Sequence, residues 1–286
     1  MKKSTKTSIV AGVIIVVIGV VVLLCAMGAS GWKFNSVNNW QEETFNAAAN
    51  VERLKINVNW GQVIVKRGAT ETISVKYQYD DRYLPTFEEN GGKLTIETPS
   101  KRWYDFTYWI NNAPRMEITL PQNVVLSEIH LTVNAGAVQF GDGEWCAAMF
   151  VKINAGAVTM CKITVNELDV KLNAGALQIQ KIDCTKMTCK LNAGAFDASE
   201  ITCQDFDCEM NAGAVNVTKL DGSHSIKLKL AAGGAELGLV GAKSAYAVSV
   251  DKSAGSCNVS SQINANATRT LTISLSAGSV NVTFGK

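Results

Sequence analysis

The sequence predicts an all-β fold: a single-chain β-solenoid of ~19-residue coils, preceded by one N-terminal transmembrane helix. Three observations predict it. The tetrapeptide Asn-Ala-Gly-Ala recurs from Asn134, Asn154, Asn173, Asn192 and Asn211, at spacings of 20, 19, 19 and 19. Apolar residues alternate with polar ones on both sides of each copy. An uncharged, proline-free run occupies residues 8–29.

The run of 22 residues would reach about 33 Å as a helix, enough to cross a bilayer core. Lys2, Lys3 and Lys6 precede it and the next charge is Lys33. The positive-inside bias places residues 1–7 in the cytoplasm and everything after residue 29 outside. Gly28, Ala29 and Ser30 are small enough for a peptidase, so a cleaved signal peptide is the competing reading. The run exceeds the usual length of a signal h-region, which favours a retained anchor. Cys25 follows the bulky Leu24, unlike a lipoprotein site, and reads as a thiol within the membrane helix. Residues 30–44 read as a polar tether, with Trp32 as an interfacial anchor.

Leu168, Val170 and Leu172 precede the third Asn-Ala-Gly-Ala copy; Leu177, Ile179 and Ile182 follow it. One repeat later the same columns hold Met187, Cys189 and Leu191, then Phe196, Ala198 and Ile201. A period of two means strands with one buried face, and a glycine inside every unit excludes helix. A unit this short cannot close a sheet alone, but stacked coils pair through parallel strands. Degenerate corners at Ala231, Ser253 and Ser276 bring the count from Asn134 onward to eight. At ~4.8 Å per coil these would make a rod of about 35–40 Å. Asn or Ser would turn the chain and ladder its side chain onto the next coil, while glycine supplies the special dihedrals.

The same grammar opens the body of the chain: Leu54, Ile56 and Val58, the corner Asn59-Trp60-Gly61-Gln62, then Val63 and Val65. Asn59 and Asn134 are 75 positions apart, and the stretch between them lacks the Asn-Ala-Gly corner. It reads as hairpin-like strands at 73–79 and, after the turn Asn90-Gly91-Gly92, at 93–98; a strand at 116–120 then stops at Pro121, and one at 129–133 enters the solenoid. The organisation expected is a cytoplasmic tail 1–7, a transmembrane helix 8–29, a tether 30–44, a first coil plus antiparallel cap strands 45–133, and solenoid repeats 134–286. The last strand, 279–284, shows no evident cap.

The opening Leu-x-Ile-x-Val-Asn-x-Gly-x-Val (residues 54–63), the strand Met-Glu-Ile-Thr-Leu-Pro (116–121) and the Asn-x-Gly coils resemble the bacterial "putative adhesin" domain family, over roughly residues 50–286. The resemblance implies a membrane-anchored or secreted envelope protein carrying a domain of unknown function. Some members are linked to envelope-stress operons of Gram-positive bacteria. The family has no established catalytic motif, so the resemblance transfers no catalytic residue.

The chain has 27 basic and 25 acidic residues, a net charge of +2, and three of the positive charges precede the apolar run. The near-neutral remainder offers no footprint for nucleic acid. His130 and His224 lie near no nucleophile motif. The acidic clusters Asp80-Asp81 and Glu88-Glu89 flank turns, where solvated loop charge is the ordinary state. The outward columns, such as Thr159, Gln178, Asp197 and Asn216, are mixed, unlike the acid- and base-lined groove of a β-helical lyase. Asn216, Asn258, Asn266 and Asn281 begin Asn-x-Ser/Thr triplets that follow from strand composition.

Seven cysteines lie beyond the apolar run. Cys184 and Cys203, like Cys189 and Cys208, are 19 apart and stack in columns held by Val165 and Val170 one coil earlier. They read as buried thiols packed as small hydrophobes. Stacked disulfides are the alternative, although parallel in-register Cβ atoms sit slightly too far apart. A straight ladder does not converge as metal ligands must. Cys161, in a column with Gln180, Ser199 and Thr218, is expected to be the one exposed thiol.

The segment 101–112 packs Trp103, Tyr104, Phe106, Tyr108 and Trp109 into seven residues. It reads either as a cap over the end of the solenoid or as a surface for sugars, membrane or a partner. Trp103, Tyr104, Tyr108 and Trp109 are the binding candidates. No catalytic, cofactor-binding or metal-ligating set emerges, and no cofactor is expected. The function expected is a non-catalytic binding, adhesion or envelope-stress module at the cell membrane. The partners expected are the membrane, through a single pass, and cell-wall polymer or envelope proteins; the oligomeric state stays open. The competing readings are a carbohydrate-active β-helix enzyme and a structural envelope protein that self-assembles through an open C-terminal end.

Overall fold

A computed structural model describes residues 40–79, 84–100 and 114–285. The expected transmembrane helix, the tail before it, Asp80-Asp81 and the candidates Trp103, Tyr104, Tyr108 and Trp109 lie outside the described residues. Among the described residues no helix is long and apolar enough to cross a membrane.

Among the described residues twenty strands form one continuous sheet. The first half comprises β1 (Gln41–Asn46), β2 (Arg53–Val58), β3 (Gln62–Gly68), β4 (Ser74–Tyr79), β5 (Thr86–Asn90), β6 (Lys93–Glu97), β7 (Arg115–Pro121), β8 (Leu126–Val133), β9 (Ala137–Phe140) and β10 (Gly143–Ile153). The second comprises β11 (Ala157–Leu172), β12 (Ala176–Asp183), β13 (Lys186–Leu191), β14 (Ala195–Met210), β15 (Ala214–Leu230), β16 (Gly234–Leu239), β17 (Tyr246–Lys252), β18 (Ser256–Cys257), β19 (Arg269–Leu275) and β20 (Ser279–Phe284).

β11 shows how the sequence makes a coil. Its buried residues are Val158 and Met160, then Ile163 and Val165, then Leu168, Val170 and Leu172. The alternation breaks twice, where Cys161-Lys162 and Asn166-Glu167 both turn outward. Each break is a corner, and the Asn-Ala-Gly tripeptide is the third, so a coil has three sides. Coils stack in register: β11 pairs in parallel with β9 and β12 through its first part and with β10 and β13 through its last. Every inward column is therefore a stack of apolar side chains, each contributing roughly 1.5–3 kcal/mol on burial. Size is traded between neighbouring columns: in β14, Phe196 and Ala198 lie over Leu177 and Ile179 of β12.

At the glycine corner the coils approach most closely. Ala176 N–H donates to Gly156 O at 2.9 Å. Gly175 has φ +123°, and a Cβ there would lie 2.2 Å from Gly156 O, so any side chain is excluded twice over. Beside it the asparagines form a ladder. Asn134 Nδ2 donates to Asn59 Oδ1, and Asn154, Asn173, Asn192 and Asn211 each donate to the asparagine one coil before, at 2.6–2.9 Å. At the far end Asn59 Nδ2 donates to Thr98 O, and the buried Thr98 hydroxyl accepts from Asn59 N–H.

Both ends depart from sequential stacking. At the start, β2 lies between β6 and β8, and β3 between β7 and β9. The first coil of the chain is thus second in the stack, outside it lies the coil β6–β7, and Pro114 faces Gly61 across the corner. At the other end β19 lies between β15 and β17, and β20 between β16 and β18. The last coil of the chain is second from that end.

Three expectations are corrected here. The strands within 73–121 are not simple hairpins: β6 and β7 extend the parallel ladders, and among the described residues of this region antiparallel pairing joins β5 to β6, β4 to β7 and β1 to β4. β1 starts inside the stretch expected to be tether, because it pairs along β4 with Lys76 Nζ 2.8 Å from Glu42. The last strand is not an open end either. β20 is interior, and the edge of β17 is covered by the following loop: Gln262 and Val248 exchange both backbone hydrogen bonds, and Ser261 Oγ accepts from Val250 N–H. The sequence missed this because column patterns are the same whichever order coils stack in.

The opposite end is plugged by aromatics. Phe45 of β1 stacks on Phe87 of β5 at 4.5 Å, and Tyr77 of β4 tilts onto Phe87 at 5.0 Å. Burial and a hydrogen bond to Glu43 push the Tyr77 phenol up to about 12.

Candidate functional site

The outer face of the side that follows the glycine corner carries a groove of about 300 Å³ across β11, β12, β14 and β15. The ladder registers build it: Thr159, Gln178, Asp197 and Asn216 form one outward row. Cys161, Gln180, Ser199 and Thr218 form the next, at the second corner. Amide, hydroxyl and carboxylate groups therefore repeat at the ~4.8 Å strand spacing. Among them Asp197 is distinctive. It is half-buried, burial raises its pKa, and a hydrogen bond from Asn216 offsets this only in part. Among the described residues no basic side chain pairs with it. Its neighbour Glu200 is different: Lys219 Nζ at 3.0 Å and Lys181 Nζ at 3.6 Å hold its carboxyl below the ordinary range.

The groove thus presents one uncompensated carboxylate amid neutral donors and acceptors. A glycosidase uses two carboxylates facing one bond, and this lining supplies one. What it can do is exchange hydrogen bonds with a polar, hydroxyl-rich chain laid across the coils.

Residues 51–283 match the model of the Toastrack DUF4097 family, a domain of unknown function. The chain belongs to that family. Among solved structures, this Toastrack chain is similar to a "putative adhesin" from Bacteroides fragilis, with a TM-score of 0.57 and 12% identity over 86% of this chain and 98% of that one. Further similarities are to a "putative adhesin" from Parabacteroides distasonis (TM-score 0.48, 13% identity, 86% and 98% covered) and another from Parabacteroides merdae (TM-score 0.45, 11% identity, 88% and 98% covered). No curated protein matches the chain. At these identities the likeness is one of fold, carried by the Bacteroides structure.

On this Toastrack scaffold the residues singled out from sequence are dispersed. His130 Nε2 lies 2.7 Å from Glu128 and its ring stacks on Phe150 at 4.6 Å; His224 Nδ1 lies 2.8 Å from Asp205. Glu89 of β5 accepts from Ala48 N–H, so it ties the segment after β1 to β5. All seven described cysteines are free. Cys146, Cys189, Cys203 and Cys208 are buried as expected, and burial pushes Cys146 and Cys208 up to about 12. Cys161 is not the one accessible thiol: Cys184 and Cys257 are also half-exposed, each near a strand end where the coil turns. The outward row of the groove was visible in sequence as a mixed column. That Asp197 lacks a cation was not, because the lysines of the adjacent coils, Lys181 and Lys219, turn to Glu200.

Proposed function

We propose that the chain is a membrane-anchored, non-catalytic binding module, held by residues 8–29 with its coils outside the cell, and that the groove around Asp197 takes a neutral, hydroxyl-rich polymer of the cell wall. The observation that carries this reading is the half-buried, cation-free Asp197 in a row of amides and hydroxyls. A carboxylate in that position costs stability, and a hydroxyl-bearing ligand would supply the hydrogen bonds it lacks. The uncharged run with its preceding lysines supports the anchor. A binding role also agrees with the description of the Bacteroides neighbour as an adhesin. The aromatics Trp103, Tyr104, Tyr108 and Trp109 are proposed as a second contact.

The test uses full-length protein in detergent and co-sedimentation with purified wall glycan. Asp197→Asn is expected to weaken binding by about tenfold, equivalent to ~1.4 kcal/mol. The same substitution should raise stability at neutral pH. The folded carboxyl holds its proton to higher pH than the unfolded one, so Asp197 lowers stability as pH rises through its folded value, and the amide removes that loss. Below the ordinary carboxylate range the two proteins should unfold alike. Unchanged binding by Asp197→Asn would remove the groove from the reading. Replacing Trp103, Tyr108 and Trp109 with Ala should lower binding with the far-UV β signal intact.

A further inference from the structure

Among the described cysteines two pairs share a column: Cys184 with Cys203, and Cys189 with Cys208. At the ~4.8 Å spacing of adjacent strands their Cα separations suit a disulfide, while in-register Cβ atoms sit a few tenths of an ångström beyond the usual range. A bond therefore needs local give in the backbone and access for an oxidant. The two pairs differ in both.

Cys189 and Cys208 lie mid-strand in β13 and β14, at 1% and 0% exposure. Cys184 is half-exposed and lies in the two-residue connection between β12 and β13. Regular pairing stops there: Thr185 N–H turns to Asn166 O, and Gln204 and Asp205 N–H both bond to Thr185 O. On the far side of Cys203 the register with β15 shifts between Cys203 and Asp205. The more accessible pair thus sits where the ladder is interrupted on both strands.

We propose that Cys184 and Cys203 form an oxidisable dithiol site, at which exchange with a low-molecular-weight disulfide produces a Cys184–Cys203 disulfide between two coils. Cys184 is the entry point, since it is partly exposed while Cys203 is buried. It attacks the external disulfide, forming a mixed disulfide and expelling one thiolate. Cys203 then loses its proton, attacks the Cys184 sulfur and expels the second thiolate. Two S–H bonds are exchanged for one S–S bond; the external disulfide is reduced to two thiols, which take up the two protons. The hydrogen bond with the Cys184 sulfur and burial keep Cys203 protonated, so Cys184 reacts first and Cys203 follows as the resolving thiol.

Reduced full-length protein would be equilibrated in oxidised–reduced glutathione mixtures at pH 8, acid-quenched, alkylated and mapped by mass spectrometry. The expected product has lost two hydrogens and links tryptic peptide 182–186 to peptide 191–219. Cys208→Ala should leave the link unchanged, which assigns it to Cys203 within that second peptide. Cys184→Ser should abolish it, and Cys203→Ser should leave Cys184 as the glutathione mixed disulfide. Three results would overturn the proposal: a link through Cys189 or Cys208, a wild-type protein that stops at the mixed disulfide, or thiols that stay free in fully oxidised buffer.

Discussion

The middle coils and the two ends build the same cross-section by different routes. In the middle, the chain climbs one coil at a time: β11, β14 and β15 each run through two corners without a break, and only residues 184–185 interrupt the step from β12 to β13. At each end one coil is inserted out of order, so its ladders hold parts of the chain that are not adjacent in sequence. Each inserted coil also carries an arginine that the middle lacks. Arg67 of β3 donates to Pro121 O, Val124 O and Glu144 O, and lies over the buried Trp145 ring at 4.8 Å. Arg269 of β19 donates to Val240 O and to the Tyr246 hydroxyl, pairs with Asp221 at 3.0 Å, and lies over the Tyr246 ring at 5.7 Å. A repeat array with nearest-neighbour contacts alone frays from its termini. Here the first and last coils are interior to the stack, so fraying of either would require extraction of a coil paired on both sides.

The largest test breaks that comparison directly. Removal of residues 269–286 deletes β19 and β20, with the buried Leu271, Ile273, Leu275, Val280 and Val282, and leaves β17 and β18 with no coil to pair on. The expected outcome is loss of the cooperative urea transition. Deletion of one regular repeat, residues 174–192, joins Asn173 to Ala193 and preserves the 19-residue spacing. That protein should still unfold cooperatively, with Tm lowered by only a few degrees. Equal behaviour of the two deletions would refute the special role of the ends.

A second test addresses a feature that both regions share. Gly175→Ala forces a Cβ to within 2.2 Å of Gly156 O at φ +123°. Strain and overpacking together should cost about 3–5 kcal/mol in urea denaturation. Gly278→Ala in the inserted coil should cost the same, since its Cβ would lie 2.2 Å from Gly233 O. Gly91→Ala is the control. It has positive φ but nothing within 4 Å, so only the conformational cost of about 1–2 kcal/mol applies.

These contrasts show which parts of the molecule the sequence encodes legibly. The inward columns, the glycine corners and the asparagine ladder are local: period two, positive φ and a short polar side chain each leave a mark within one repeat. Coil order leaves no such mark, because Leu271 suits its column equally well over Ile226 or over Val248. Its only trace is spacing. Gly233, Gly255 and Gly278 are 22 and 23 apart instead of 19, and the extra residues lie in the 3-10 turn at Lys243–Ala245 and the loop after β18, which carry the chain past one coil and back. The groove was half legible. Its rows follow from the repeat, but Asp197 stands out only once Lys181 and Lys219 are seen to serve Glu200.

The arginine clamps give an intermediate effect. Arg269→Met keeps much of the stem but leaves Val240 O to the Tyr246 hydroxyl alone and strands Asp221 without its partner. With charge-assisted bonds at about 1.5–3 kcal/mol, the loss should be roughly 2–4 kcal/mol, and Arg67→Met should match it. If the clamps hold the inserted coils, native-state hydrogen exchange should quicken in β19 and β20 for the first variant and in β2 and β3 for the second, with β12 and β13 unaffected.

The smallest effect belongs to the ladder of asparagines. Its members are largely exposed, so water can replace each lost bond, and Asn173→Ala should cost only about 0.5–1 kcal/mol. The ladder stops at Asn211 because the next corner holds Ala231, whose amide Ala232 N–H still bonds Asn211 O. The backbone therefore continues in register where the side-chain ladder does not. Asn211 Nδ2 already donates to Asn192, which leaves its Oδ1 facing the coil above. Ala231→Asn should add a rung there and stabilise the protein by a few tenths to about 1 kcal/mol. Double-mutant cycles between positions 211 and 231 would measure it. A coupling near zero would mean that the glycine corner and the inward columns, not the amides, set the register of the last regular coil, on which the inserted one stacks.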